Sequence, residues 1–279
     1  MSGYHWLASY PKSGNTWLRL ALSSLSRDGA PPDFAAKVGF APIASNRSPF
    51  DLLLDVDSSD LTDGEAEALR PCFYELEARR HAEPRLRKVH DAWTLTSAGE
   101  PLFPPALTLG TLYIARDPRD VAVSLAAHLG MTVDEAITAM ATPEATLARG
   151  GKRGKTQLSQ RLLTWSAHVE SWLDAPGMPP PLLLRYEDMT VDPAGSLLRV
   201  ARHLGWAAEP EVVERAVAAT RFDALFAAEE QYGFHERPIK AVRFFRRGIA
   251  GGWRDTLTPA QADQIERDHA TVMARLGYA

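Results

Sequence analysis

The chain is poor in several things, and each shortage excludes something. It holds one cysteine, Cys72, in 279 residues. One thiol makes no intrachain disulfide, and the Cys/His spacing of a zinc site is missing. Cys72 is expected to be a buried structural thiol, since unmodified cysteines are commonly buried. No run approaches the ~18 consecutive apolar residues of a spanning helix, which argues against a membrane partner. The opening "MSGYHWLASY" has no basic region followed by a long apolar core, so no signal peptide is expected. These shortages point to a reducing cytoplasm. Positive charge is not in excess: 31 Lys+Arg face 35 Asp+Glu, a net charge of −4. Nucleic acid is therefore not expected as a partner, and an anion needs a local basic cluster. No side-chain cluster suggests a metal. No linker or repeat divides the chain, so residues 1–279 read as one domain.

What is present is an ordinary globular composition, 45% hydrophobic and 24% charged. "YHWLASY" (4–10) is a short apolar run and reads as a buried strand. From Asn15 the period changes. Leu18, Ala21, Leu22 and Leu25 make an i, i+3, i+4, i+7 stripe, so a helix follows. A helix is expected over 63–81, strands at 85–90 and 107–116, and a helix from Pro118 capped by Asp117. "LSQRLLTWSAHVESWLDA" reads as one long amphipathic helix, and "PPPLLLRYEDM" as a further strand. "GGKRGKTQ" (150–157) reads as a mobile basic loop. Helices follow at "PAGSLLRVARHLGW" and "PEVVERAVAAT", and a last one starts after Thr258 with Pro259 at its first position. Strands alternating with helices predict an α/β fold of three layers, α/β/α, around a mostly parallel central sheet.

Four stretches carry chemistry. "SYPKSGNTW" (9–17) joins the first strand to the first helix. Such a junction aims backbone N–H groups and the positive helix end at one spot. Gly14 lets the backbone come close, Thr16 adds a hydroxyl and Lys12 a mobile charge. The plainer reading is an ordinary turn with a surface lysine. "KVHDAW" places Lys88 and His90 on one face of a strand end, where ligands of parallel sheets bind. A histidine there can take a proton at neutral pH, although a lone histidine is more often structural. In "YIARDPRDVAVS", Arg116 can fork onto a phosphate and Ser124 lies about two turns into the helix; a salt-bridged helix start is the plainer account. "FFRRGIAGGW" offers Arg246, Arg247 and flexible glycine amides as a second anion clamp, or simply a solvated loop.

Taken together, the stretches resemble the cytosolic-type sulfotransferases that use 3′-phosphoadenosine 5′-phosphosulfate. "YPKSGNTW" is similar to the family's 5′-phosphosulfate loop, with Asn15 for a threonine. "KVH" matches its lysine-x-histidine, and "YIARDPRDVAVS" its 3′-phosphate motif, with Asp117 where asparagine is common. "RYEDM", "ATRFDAL" (219–225) and "TWSAHVESW" resemble further family segments. "FFRRGIAGGW" resembles RKGxxGDW, with Arg247 for lysine and Gly252 for aspartate. The resemblance runs from residue 4 to about 266, in family order. The short segment ahead of "SYPKSGNTWLR" is also similar to bacterial sulfotransferases that tailor glycopeptide antibiotics, so a bacterial member is expected.

The resemblance implies a fold related to the P-loop nucleotide kinases and a set of roles. Lys12, Ser13, Gly14, Asn15, Thr16 and Trp17 would take the 5′ end of the donor. Arg116, Ser124, Arg246, Arg247 and Gly248 would bind its 3′-phosphate. Tyr186, Thr220 and Phe222 would line the adenine site, with Trp17 stacking on the base. His90 would be the catalytic base for a small-molecule hydroxyl, and Lys12 and Lys88 would stabilise charge on the sulfuryl group. The product would be 3′-phosphoadenosine 5′-phosphate, and the family needs no metal. An ATP-dependent P-loop kinase and a nucleotide binder without chemistry are the rival readings. The first lacks a G-K-[ST] sequence; the second leaves Lys12, Lys88 and His90 without a purpose. The family's dimer segment reads "RDTLTPAQAD" here, with Pro259 and Asp263 for valine and glutamate, which leaves the oligomeric state open.

Overall fold

The computed structural model describes residues 2–34, 40–150, 155–237, 243–245 and 248–278. The elements in chain order are β1 (Tyr4–Ser9), α1 (Asn15–Leu25), α2 (Arg47–Leu54), α3 (Asp63–Arg80), β2 (Arg85–Val89) and β3 (Thr108–Ala115). Then come α4 (Pro118–Leu129), α5 (Val133–Met140), β4 (Thr146–Leu147), β5 (Gln160–Arg161), α6 (Trp165–Leu173) and β6 (Leu182–Arg185). The chain ends with α7 (Tyr186–Val191), α8 (Pro193–His203), α9 (Pro210–Ala219), α10 (Phe222–Tyr232) and α11 (Pro259–Leu276). The main sheet has the strand order β2-β1-β3-β6, and β1 pairs in parallel with β2, Leu7 opposite Lys88. A central parallel sheet with flanking helices is the class that the alternating elements predict.

The chain groups into two compact units. The first comprises Met1–Tyr10, Ala41–Tyr113 and Met140–Leu183; the second comprises Pro11–Phe40, Ile114–Ala139 and Leu184–Ala279.

The first unit is built on aromatic rings. Tyr4 stacks on Trp6 at 4.6 Å between centroids, Trp6 meets the edge of Phe103 at 5.0 Å, and Phe103 meets Trp172 at 5.0 Å. Such pairs add about 0.5–1.5 kcal/mol each beyond the area they bury. Their polar tips are satisfied: Trp6 Nε1 donates to Thr108 Oγ1 at 2.9 Å, and the Tyr4 hydroxyl donates to the Tyr74 carbonyl at 2.9 Å. In the second unit, the α1 stripe Leu18, Ala21, Leu22 and Leu25 is buried as its period requires. Phe34, Leu225, Phe234 and Phe245 form a cluster there, with Trp17 and Phe222 packed against it.

Four expectations need correction. The long helix over 158–175 is only α6, nine residues starting at Trp165. Before it, Gln160 and Arg161 pair with Thr146 and Leu147, and Leu163 sits at φ 60°. Thr164 then caps the helix by accepting from the Ala167 amide. The strand expected through "RYEDM" stops at Arg185, and Tyr186 opens α7. Helix α10 starts at Phe222, inside the "ATRFDAL" segment, where no helix is expected. Cys72 is exposed, not buried. The buried face of α3 is Ala66, Arg70, Phe73, Tyr74, Glu77 and Ala78, and position 72 points away from it. Of the expected basic loop at 150–157, residues 151–154 lie outside the described residues.

Candidate active site

In the second unit, the loop before α1 is shaped by two left-handed residues, Lys12 at φ 71° and Gly14 at φ 104°. Gly14 is the N-cap of α1, which has no side-chain cap. The first-turn amides are thereby presented to a ligand. A Cβ at residue 14 would lie 2.6 Å from Cδ2 of Tyr186, so both the backbone angle and the neighbour demand glycine. Gly14→Ala is expected to weaken nucleotide binding about 10-fold or more, since strain and clash of this kind cost on the order of 1–3 kcal/mol. Titration calorimetry with the product nucleotide checks this; unchanged affinity would show that the loop does not hold it.

The other loop residues are placed as follows. Ser13 is fully buried, and its Oγ has no partner among the described residues, an orphan fit for an anionic oxygen. Asn15 is buried, while Thr16 and Trp17 are half-buried. The Thr16 hydroxyl lies 3.4 Å from Oε2 of Glu236, which also pairs with Arg19. Lys12 is docked rather than mobile. Its Nζ is 3.3 Å from Nδ1 of His128 and 4.7 Å from the centre of the Phe244 ring, a cation–π distance.

Arg116 directly follows β3 and reaches across the second unit. Its Nη1 donates to the Lys12 carbonyl at 3.2 Å and its Nη2 to the Ile249 carbonyl at 3.0 Å. The guanidinium lies 4.2 Å from the centre of the Tyr186 ring and 3.7 Å from Asp120. Its Nε is buried with no partner among the described residues. Asp117 caps α4 by accepting from the Arg119 amide at 2.9 Å, as expected, and also pairs with the Arg119 guanidinium. Ser124 is half-buried on α4. Asp120 accepts from the amides of Gly251, at 2.7 Å, and Trp253, at 2.9 Å, and so ties the glycine-rich loop to α4. Arg246 and Arg247 lie outside the described residues. Gly248 has φ 63°, and a Cβ there would come within 2.3 Å of the Phe222 ring.

One cavity of about 550 Å³ gathers five expected donor residues: Trp17, Tyr186, Thr220, Phe222 and Gly248. That is the size of a small-molecule site. The Trp17 ring is fixed by its Nε1, which donates to the Thr220 carbonyl at 3.0 Å. Met189, Val217 and Phe245 also line the cavity and were not foreseen. Met189 and Phe245 lie in the quoted segments "RYEDM" and "FFRRGIAGGW" and Val217 in an expected helix, but only the three-dimensional packing assigns them to a wall.

Lys88 and His90 belong to the first unit. Val89 between them is buried, and both are half-buried, as strand alternation requires. Lys88 is held by its backbone on its second side as well, its amide donating to Pro42 O at 3.2 Å and its carbonyl accepting from Ala44 N at 2.8 Å. Nδ1 of His90 lies 2.9 Å from the Ser9 carbonyl oxygen. A carbonyl only accepts, so Nδ1 carries the proton and Nε2 is the basic nitrogen.

Behind His90 sits His168, fully buried, whose Nε2 is 3.1 Å from the His90 carbonyl and whose Nδ1 is 2.9 Å from the Tyr113 hydroxyl. Burial holds this imidazole down at about 4, from an ordinary 6.5. Between those values the unfolded chain binds a proton that the folded chain refuses. The stability involved is full above pH 6.5 and is lost as pH falls toward 4, up to roughly 3 kcal/mol. Urea midpoints measured from pH 7 to 4 should fall accordingly, and His168→Gln should flatten that fall. An equally steep decline in the variant would assign the acid lability elsewhere.

The fold is that of an α/β protein with a central parallel sheet and flanking helices, and the comparisons narrow the class. The sulfotransferase domain model matches residues 4–277. Sulfotransferase 1A1 of Canis lupus familiaris is 27% identical over 98% of this chain and 84% of its own length. Sulfotransferase 1A1 of Bos taurus is 26% identical over 96% and 82%. Among solved structures, mouse sulfotransferase SULT7A1 complexed with PAP superposes with a TM-score of 0.62 at 18% identity, covering 97% of this chain and 84% of that one. Retinol dehydratase in complex with androsterone and inactive cofactor PAP gives a TM-score of 0.60 at 21% identity, covering 97% and 80%. The chain belongs to the sulfotransferase domain family.

Proposed function

We propose that this enzyme moves the sulfuryl group from 3′-phosphoadenosine 5′-phosphosulfate to a hydroxyl of a small-molecule acceptor. The observation that carries the donor half is the cavity that unites Trp17, Tyr186, Thr220, Phe222 and Gly248. An adenine ring fits such walls, stacked on the fixed Trp17 indole. The orphaned Ser13 Oγ and Arg116 Nε fit the two anionic ends of the donor, and both lie in the same unit as the cavity. PAP is the nucleotide in the SULT7A1 and retinol dehydratase complexes, which agrees with this donor. The androsterone and retinol bound by retinol dehydratase are small molecules with the kind of hydroxyl proposed here.

The chemistry follows from the residues. His90, protonated on Nδ1, takes the acceptor proton on Nε2 as the acceptor oxygen bonds to sulfur. The bond from sulfur to the bridging phosphosulfate oxygen breaks, and 3′-phosphoadenosine 5′-phosphate leaves. Lys12 and Lys88 offset charge on the bridging and outer oxygens, and the α1 amides hold the 5′-phosphate. Positioning and electrostatics supply the catalysis, as in phosphoryl transfer. We further propose that residues 1–279 act as one functional domain and that the enzyme works in the cytoplasm. Incubation with ³⁵S-labelled donor and a panel of phenols, alcohols and steroids tests the reading. A labelled sulfate ester is expected. Transfer of phosphate from ATP instead, or nucleotide binding with no transfer to any acceptor, would favour one of the rivals.

A further inference from the structure

The turn carrying His90 is held by groups that the transfer chemistry leaves unused. Trp172 Nε1 donates to the Asp91 carbonyl at 2.9 Å. Arg70 forks onto the Asp91 carboxylate at 2.6 and 2.9 Å, and the Ala92 amide donates to the Arg161 carbonyl at 2.7 Å. These bonds fix residues 91 and 92. The carbonyl of His90 itself is met by a side chain, that of His168, at 3.1 Å.

His168 is an odd choice for a core position. Its face of α6 is otherwise Trp165, Val169 and Trp172, and packing alone would accept another apolar residue. A neutral imidazole has one N–H. The His90 carbonyl can only accept, so that N–H is on Nε2, and Nδ1 must accept from the Tyr113 hydroxyl at 2.9 Å. Tyr113 is fully buried, and the ring of Tyr10 stands edge-on to the imidazole at 5.3 Å. The chain of donors therefore has one direction: Tyr113 to His168, His168 to the His90 carbonyl, and the His90 Nδ1–H to the Ser9 carbonyl.

We propose that His168, set in one tautomer by Tyr113, is a positioning residue for the His90 base: it pins the His90 carbonyl so that the imidazole keeps its Nδ1–H on Ser9 and presents Nε2 for proton transfer. This rests on the reading of His90 as the base. Without the pin, the backbone at residue 90 can rotate, the bond to Ser9 loosens, and the ring samples both tautomers.

The test uses the full chain with saturating donor and a phenol that the unmodified enzyme sulfates. His168→Leu is expected to lower kcat by about 10- to 100-fold, the cost of misplacing a catalytic group by about an ångström. KM for the donor should stay within about 2-fold, as uniform binding is untouched. In ¹⁵N spectra of the histidine rings, His90 should change from the Nδ1–H tautomer to a mixture. His168→Gln replaces the Nε2–H by an amide N–H and should recover most of kcat and the original tautomer. Tyr113→Phe, a gentler change that keeps the core filled, should act in the same direction as His168→Leu. In the His90→Ala background, His168→Leu should cost nothing further, because the two act as one unit. Folded His168→Leu and Tyr113→Phe proteins with native kcat and a native His90 ring signature would overturn the proposal. So would an equal extra loss from His168→Leu in the His90→Ala background. A fully active His90→Ala enzyme would instead sink the base reading, while the ¹⁵N signature would still report whether His168 orients the ring.

Discussion

His90→Ala is expected to lower turnover by about 100- to 10,000-fold, the range that a positioned general base contributes. Its nucleotide affinity should barely change. No donor contact is assigned to the imidazole, whose Nδ1 is bonded to the Ser9 carbonyl. Lys12→Ala should behave differently. Its charge acts on bound donor and transition state alike, so both donor affinity and rate should fall. The competing account is that His90 only packs at the end of β2. A packing role would cost thermal stability and leave activity per folded molecule intact. Turnover of correctly folded His90→Ala, at saturating donor, separates the two. A second variant sharpens the result. Ser9 contributes a backbone carbonyl, so Ser9→Ala keeps the bond that fixes the tautomer and loses the 3.4 Å contact of its hydroxyl with the ring. It should retain most of the activity. A drop as deep as that of His90→Ala would move the catalytic weight from the imidazole to the hydroxyl.

The parts of the fold that were legible are those decided locally. The α1 stripe is a period of side chains, and the Asp117–Pro118 start of α4 is a cap followed by a fixed φ. The misread stretch before α6 shows the opposite case. "LSQRLLT" carries leucines at helical spacing, yet Gln160 and Arg161 are claimed by Thr146 and Leu147, and no pattern within the stretch announces that pairing. The same holds at Tyr186. Its neighbour Glu187 accepts from the Asp117 amide at 3.0 Å and from the Tyr278 hydroxyl at 2.9 Å, and these distant partners favour a helix start over a longer strand. Within the candidate site, the motifs named the walls of the cavity because each motif is a short run. They did not name His128 beside Lys12 or Glu236 beside Thr16. Those residues reach the site through folding and carry no local signature.

The nucleotide should be recognised at both ends, and this gives the second large effect. We expect 3′-phosphoadenosine 5′-phosphate to bind at least ~100-fold more tightly than 5′-AMP. A lost charge-assisted hydrogen bond costs about 1.5–3 kcal/mol, and removing the 3′-phosphate forfeits more than one. Arg116 is the residue on which this rests. Its two terminal nitrogens already hold the Lys12 and Ile249 carbonyls, at 3.2 and 3.0 Å, while its buried Nε has no partner among the described residues. A buried donor in that state is costly alone and well placed for an anion. Arg116→Ala should therefore erase most of the preference. The decisive comparison is its effect on the two ligands, measured by calorimetry. If Arg116 meets the 3′-phosphate, the variant loses affinity for the bisphosphate and keeps its affinity for 5′-AMP, because Trp17, Thr220 and Phe222 still form the cavity wall. If Arg116 only braces the loops through the Lys12 and Ile249 carbonyls, both ligands weaken together and the preference survives. Arg116→Lys divides charge from geometry. It keeps the positive charge but lacks the fork, so it should restore part of the preference and not all of it. Equal affinity of the unmodified enzyme for the two nucleotides would remove the 3′-phosphate from the site altogether.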